Sequence, residues 1–103
     1  MSNEEKIAKH VTGYISKNLD KSLTISILSE QFHIGKTTLE HIFHHILHTT
    51  VHHYILEQRL KKSRKLLITT DRPIKAIASQ CGFKSVTTFT REFHHHYHLT
   101  PSS

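Results

Sequence analysis

Two stretches of this chain are versions of one another, and that repeat constrains the fold more than any other feature. TISILSEQFHI, from Thr24, aligns with PIKAIASQCGF, from Pro73, at a constant offset of 49. Ile25 falls on Ile74, Leu28 on Ile77, Gln31 on Gln80 and Ile34 on Phe83. One extra residue in the second copy moves the offset to 50. KTTLEHIFHHILHTT then lies over VTTFTREFHHHYHLT, with both Thr-Thr pairs and both Phe-His-His triplets in register. A short apolar-periodic segment, a tight turn and a second such segment, given twice, is the pattern of two helix-turn-helix units.

The rest of the chain reads as helix too. Only three glycines and two prolines punctuate it, and no segment alternates for long with the period of a strand. EEKIAKHVTGYISKNL sets Ile7, Val11, Tyr14, Ile15 and Leu19 at helical spacing, with Glu4 and Glu5 at the positive end of the helix dipole. Thr24 is an N-cap for ISILSEQF. VHHYILEQRLKKSRKLLITT carries Leu56, Leu60, Ser63 and Leu67 on one stripe, and Pro73 fits the first turn of a new helix. The expectation is an all-α chain of about seven helices. Residues 1–50 form a first helix-turn-helix subdomain, 51–69 a linking helix and 70–103 a second helix-turn-helix subdomain.

Charge narrows the class of partner. Fourteen Lys and Arg against eight Asp and Glu give a formal +6 with every histidine neutral, which suits an anionic partner, nucleic acid first. Within the second copy, Ile74, Ile77, Ala78 and Cys81 share one helix face, Gly82 supplies the turn, Phe83 plugs the core, and Ser85 can cap a helix whose Phe89 and Phe93 point inward. The opposite face carries Val86, Thr87, Thr90 and Arg91. Small or hydrogen-bonding groups with one long cation suit a helix that enters a major groove, where Arg can pair with guanine through two parallel hydrogen bonds.

These residues resemble the DNA-binding domain of AraC/XylS-type transcription regulators. The likeness rests on Ile77-Ala78, Gly82-Phe83, Phe89, Arg91-Glu92-Phe93 and Thr100-Pro101, joined by Leu39, Ile42-Phe43, Tyr54 and Arg59 in the first half. It covers roughly residues 5–101, and RKLLITTDRPIKAIASQCGF is especially similar to the stand-alone MarA/SoxS/Rob-type activators. The resemblance implies a cytoplasmic regulator of double-stranded DNA, without cofactor, that acts as a monomer and recruits RNA polymerase. It implies base contacts from Thr37, Glu40 and His41 in the first copy and from Val86, Thr87, Thr90 and Arg91 in the second. Phosphate contacts would come from Lys36, His44, His45, Arg59, Lys62, Lys84, Ser85, His94 and His95. A helix over 54–69 would span about 24 Å, so with the two motif cores the roughly 34–36 Å of one DNA turn is within reach. The sequence departs from the family pattern at Gly35, where a Ser cap is common, and at His33, His48 and His98, turn positions where glycine is frequent. Histidine tolerates positive φ better than most residues.

Twelve histidines invite two other readings. His41/His45, His44/His48 and His94/His98 stand at i, i+4, the spacing by which a helix offers two imidazoles to one metal. Sequence alone puts no acidic or cysteine ligand beside any of these pairs, and the expectation is no metal, with a metal-responsive regulator as the alternative. The repeat accounts for the clusters as equivalent ends of two recognition helices carrying conditional positive charge. Catalysis is not expected, because no nucleophile sits in a recognisable turn and no carboxylate is set to orient a histidine. A helix-turn-helix adaptor that binds only protein is the remaining rival, and salt-dependent DNA binding separates the two.

Overall fold

Ser2 starts the first helix. Its hydroxyl accepts from the Glu5 backbone N–H at 3.1 Å, and the Glu5 carboxylate accepts from the Ser2 N–H at 3.2 Å, a reciprocal capping box. The computed structural model describes residues 2–102. Those residues are all-α: α1 (Asn3–Lys17), α2 (Ile25–Phe32), α3 (Lys36–Ile42), α4 (Val51–Thr69), α5 (Ile74–Gln80) and α6 (Val86–Tyr97), with a π-helical turn, Phe43–Leu47, continuing α3. No helix among them is long and apolar enough to cross a membrane.

Two compact units divide the chain. The first comprises residues 2–18 and Ser22–Leu56, the second Leu19–Lys21 and residues 57–102. The division falls inside α4, whose first six residues join the first unit. In that unit α1 packs on α3 and on the π turn, and α2 packs on α3. Ala8, Val11 and Ile15 of α1 are buried with Leu28, Leu39, Ile42, Phe43, Val51 and Ile55. Phe43 meets Tyr54, and Tyr14 meets Phe32, both edge to face, the geometry favoured by the ring quadrupoles.

In the second unit α5 packs on α6. Leu19, Leu60, Ile77, Ala78, Cys81, Phe89 and Phe93 are buried, and Phe83, Phe89, Phe93 and Tyr97 form a run of touching rings. Ser63, fully buried on the α4 stripe, donates to the Leu60 carbonyl at 2.7 Å, so its hydroxyl is not orphaned in the core.

Several local expectations hold in atomic detail. Thr24 accepts from Ile27 N–H at 3.2 Å and Ser85 from Thr88 N–H at 3.1 Å, each as an N-cap, whereas Gly35 offers no side-chain cap. His33, His48 and His98 have φ of 55°, 56° and 60°. His33 is the repeat partner of Gly82, whose φ is 84°, and His48 is the partner of His98. The same left-handed turn is thus built twice, with histidine in one copy where the other has glycine.

Other details differ. Leu19 does not extend the α1 stripe: the helix ends at Lys17, Asn18 caps it, and Leu19 is buried in the second unit. Pro73 stands at the N-cap of α5 with extended ψ of 151° rather than inside the first turn. The first recognition segment changes its winding at Phe43, while its repeat partner α6 is α-helical throughout.

Candidate nucleic-acid interface

Each helix-turn-helix unit buries one side of its second helix and leaves the other bare. In the first copy Leu39, Ile42 and Phe43 go inward while Lys36, Thr37, His41, His44 and His45 are exposed. In the second, Phe89 and Phe93 go inward while Val86, Thr87, Arg91, His94 and His95 are exposed, and Thr90 is half-buried at the edge. Apart from Ile42, whose repeat partner is the half-buried Glu92, inward and outward sets repeat at the same positions, as the periodicity of a helix requires of two copies of one motif.

Arg91 is well placed to act outward. Its side chain is 67% exposed, and Glu92 stands 3.7 Å from its Nε, a loose surface pair that costs little to give up. Val86 is an exposed apolar residue at the first position of α6, and Lys84 and Ser85 lie just before it. The Ser85 hydroxyl is already committed, both as cap and as donor to the Thr88 hydroxyl at 3.1 Å. Lys62 is exposed and donates one proton to the Gln80 carbonyl at the end of α5, at 3.3 Å. Its ammonium keeps two further donors.

Two residues expected at the interface are tied inside the fold instead. Glu40 Oε1 accepts from the Val51 N–H at 2.8 Å in a part-buried position, satisfying one of the orphan donors at the start of α4. That carboxylate oxygen closes a turn. Arg59 is half-buried, and its Nε and Nη2 donate to the carbonyls of Leu19 at 3.1 Å and Lys21 at 2.8 Å. Those two bonds hold the 19–21 segment. Burial lowers the guanidinium pKa, with a partly opposing influence from the Cys81 sulfur. Burial likewise pushes the Cys81 thiol up, with Lys62 and Arg59 pulling the other way.

The residue that sequence reasoning missed is Glu4. Read only as a helix-dipole carboxylate, it meets the first recognition helix. Its Oε1 lies 2.9 Å from His45 Nδ1 and its Oε2 lies 3.6 Å from His41 Nε2. The signal was present in the spacing: Glu4, Ala8, Val11 and Ile15 share the α1 stripe that packs on α3 and the π turn.

A helix-turn-helix domain family matches residues 28–103. Regulatory protein SoxS of Escherichia coli strain K12 is 32% identical over 100 residues, which cover 97% of this chain and 94% of that protein. A transcriptional regulator from Chromobacterium violaceum, of the AraC-type DNA-binding-domain proteins, superposes with a TM-score of 0.88 at 26% identity, covering 95% of this chain and 88% of the other. The DNA-binding domain of AdpA, solved in complex with a target DNA, has the same fold, with a TM-score of 0.87 at 20% identity over 93% of this chain and 86% of that one. With two repeated helix-turn-helix units, a matching family over most of its length and a relative matched over nearly its whole length, this chain belongs to the AraC-type family of helix-turn-helix DNA-binding transcription regulators.

Proposed function

We propose that this protein is a sequence-specific transcription activator that binds double-stranded DNA as a monomer, inserts α3 and α6 into successive major grooves, and recruits RNA polymerase. The observation that carries the reading is the repeated exposed face: two second helices in one chain, each with an inward aromatic and an outward set of small, hydrogen-bonding and cationic side chains. One chain therefore supplies what a dimer of single-motif proteins supplies with two.

In this reading base contacts come from Thr37 and His41 on α3 and from Val86, Thr87, Thr90 and Arg91 on α6. Arg91 takes guanine, and Val86 meets a thymine methyl. Lys36, Lys62, Lys84, His44, His94 and His95 hold phosphates, and these fix register without reading sequence. The asymmetry between the two faces, His41 against Arg91, favours an asymmetric site.

The test is a footprint combined with stoichiometry by analytical ultracentrifugation. One chain should protect about 20 base pairs, the span of two grooves one turn apart. Occupation of a palindromic site only by dimers would refute the monomer reading. No binding to any duplex at low salt would leave the protein-only adaptor in its place. Transcription from a promoter carrying the site should rise on addition of the protein and polymerase, and a fall would make it a repressor.

A further inference from the structure

We propose that Glu4, His41 and His45 form a binding site for a divalent transition-metal ion of the zinc, nickel or copper class. The two histidines stand one helical turn apart at the junction of α3 with the π turn, their rings 5.8 Å apart between centroids and tilted by 36°. Across from them, α1 delivers one carboxylate with an oxygen toward each ring: Oε1 at 2.9 Å from His45 Nδ1 and Oε2 at 3.6 Å from His41 Nε2. Ligand atoms from the three side chains lie within 4.8 Å of one another.

Those distances suit an ion. Tetrahedral ligands at about 2.0–2.1 Å from a metal stand roughly 3.3 Å from each other; the two carboxylate–imidazole separations, made by different oxygens of Glu4, bracket that value, and the shorter is a hydrogen bond that an ion would replace. Two imidazole nitrogens and a carboxylate are a borderline donor set that favours zinc, nickel and copper over magnesium or calcium, which take oxygen. With three protein ligands, the fourth position is left to water. The donors are also well anchored. Ala8, Val11 and Ile15, further along the α1 stripe, are buried in the same unit, and the capping box fixes the first turn from which Glu4 projects. The Glu4 side chain is 35% exposed and the histidines 69% and 63%, so an ion can enter without any part of the core opening.

Because His41 is one of the residues proposed above to contact bases, occupation would couple metal to DNA readout. That consequence alone rests on the DNA reading; metal binding is measured without DNA, so the two can fail separately.

The experiment titrates metal-free protein with cobalt(II) as the optical probe and with zinc against a chromophoric chelator. The expected result is one equivalent bound with the intense visible bands of tetrahedral cobalt, and at least a tenfold loss of affinity in Glu4→Gln and in His45→Gln. With so many histidines elsewhere, His44→Gln and His94→Gln are the controls and should leave both affinity and spectrum unchanged. Circular dichroism checks the helix content, and if Glu4→Gln lost helix, His41→Gln, at an exposed position, would carry the same test. Equal affinity in wild type and in folded Glu4→Gln would overturn the proposal.

Discussion

Substituting Gly82 by alanine should be among the most damaging single-methyl additions to this protein. Gly82 has a φ of 84°, and a Cβ built there would fall on the Leu19 carbonyl oxygen and 2.6 Å from Arg59 Nε. Forcing an L-residue into the left-handed region costs roughly 1–2 kcal/mol. Displacing the guanidinium from the Leu19 carbonyl forfeits a charge-assisted hydrogen bond of about 1.5–3 kcal/mol. Alanine recovers about 0.4–1 kcal/mol by restricting the unfolded chain, so the net loss is about 2–4 kcal/mol. Against a total stability of about 5–15 kcal/mol for a small domain, this is a large share. With a urea m-value of about 1–3 kcal/mol/M, the midpoint should fall by on the order of 1–2 M. The assay is urea unfolding followed by circular dichroism, with Gly13→Ala as reference. Gly13 is an exposed mid-helix residue with nothing near its would-be Cβ, and alanine there should gain about 0.5–1 kcal/mol. The decisive comparison is a double-mutant cycle with Arg59→Met. If the clash works through Arg59, Gly82→Ala should cost about 1.5–3 kcal/mol less in that background. Additivity to within about 0.5 kcal/mol would refute the coupling.

The other predictions concern the interface and the buried thiol. DNA affinity should fall with salt at a log–log slope of about −5 to −8, as several phosphate contacts require. Arg91→Ala should cost roughly 1–3 kcal/mol on the specific site and relax preference at one position, whereas Lys62→Ala should weaken specific and random duplexes alike in a competition assay. Glu40→Ala should lower the urea midpoint by an amount equivalent to about 1 kcal/mol, the worth of a typical hydrogen bond, and leave sequence preference unchanged. Because burial raises the Cys81 thiol pKa in the folded state, its contribution is fully present at neutral pH and is lost as the pH rises through and above the thiol's ordinary range. The alkaline decline in urea midpoint should therefore be shallower in Cys81→Ala, and iodoacetamide should label Cys81 in the wild type only upon unfolding.

The parts of this fold that were legible in sequence are those set by neighbours a few residues apart. The Thr24 and Ser85 caps, the inward Phe89 and Phe93, and the left-handed turns at His33, His48 and His98 all follow from local rules applied to a repeat. What stayed hidden was decided by long side chains reaching across sequence. Arg59 spends its donors on carbonyls 40 and 38 residues upstream, Glu40 bonds Val51 across a turn, and Glu4 meets His45, 41 residues on. Such long side chains can reach many partners, and the choice among them is made by the three-dimensional packing, not by residues nearby in sequence. The π winding at Phe43–Leu47 has no counterpart in α6 despite the shared Phe-His-His, and no local sequence rule distinguishes the two.

The placement of Leu19–Lys21 in the second unit bears on the order in which the chain can be completed during synthesis. This segment leaves the ribosome early, yet its partners Arg59 and Gly82 emerge far later. Most of the first unit's residues can therefore gather while the segment at their middle is still waiting, and the second unit closes only when the chain comes back to a piece made near the start. A fragment beginning at residue 57 would carry the whole second helix-turn-helix motif but would lack Leu19 from its core and both carbonyls that hold Arg59. Supplying residues 1–25 as a separate peptide should restore those contacts in trans, which makes the second motif dependent for its folding on a three-residue segment made some fifty residues before it.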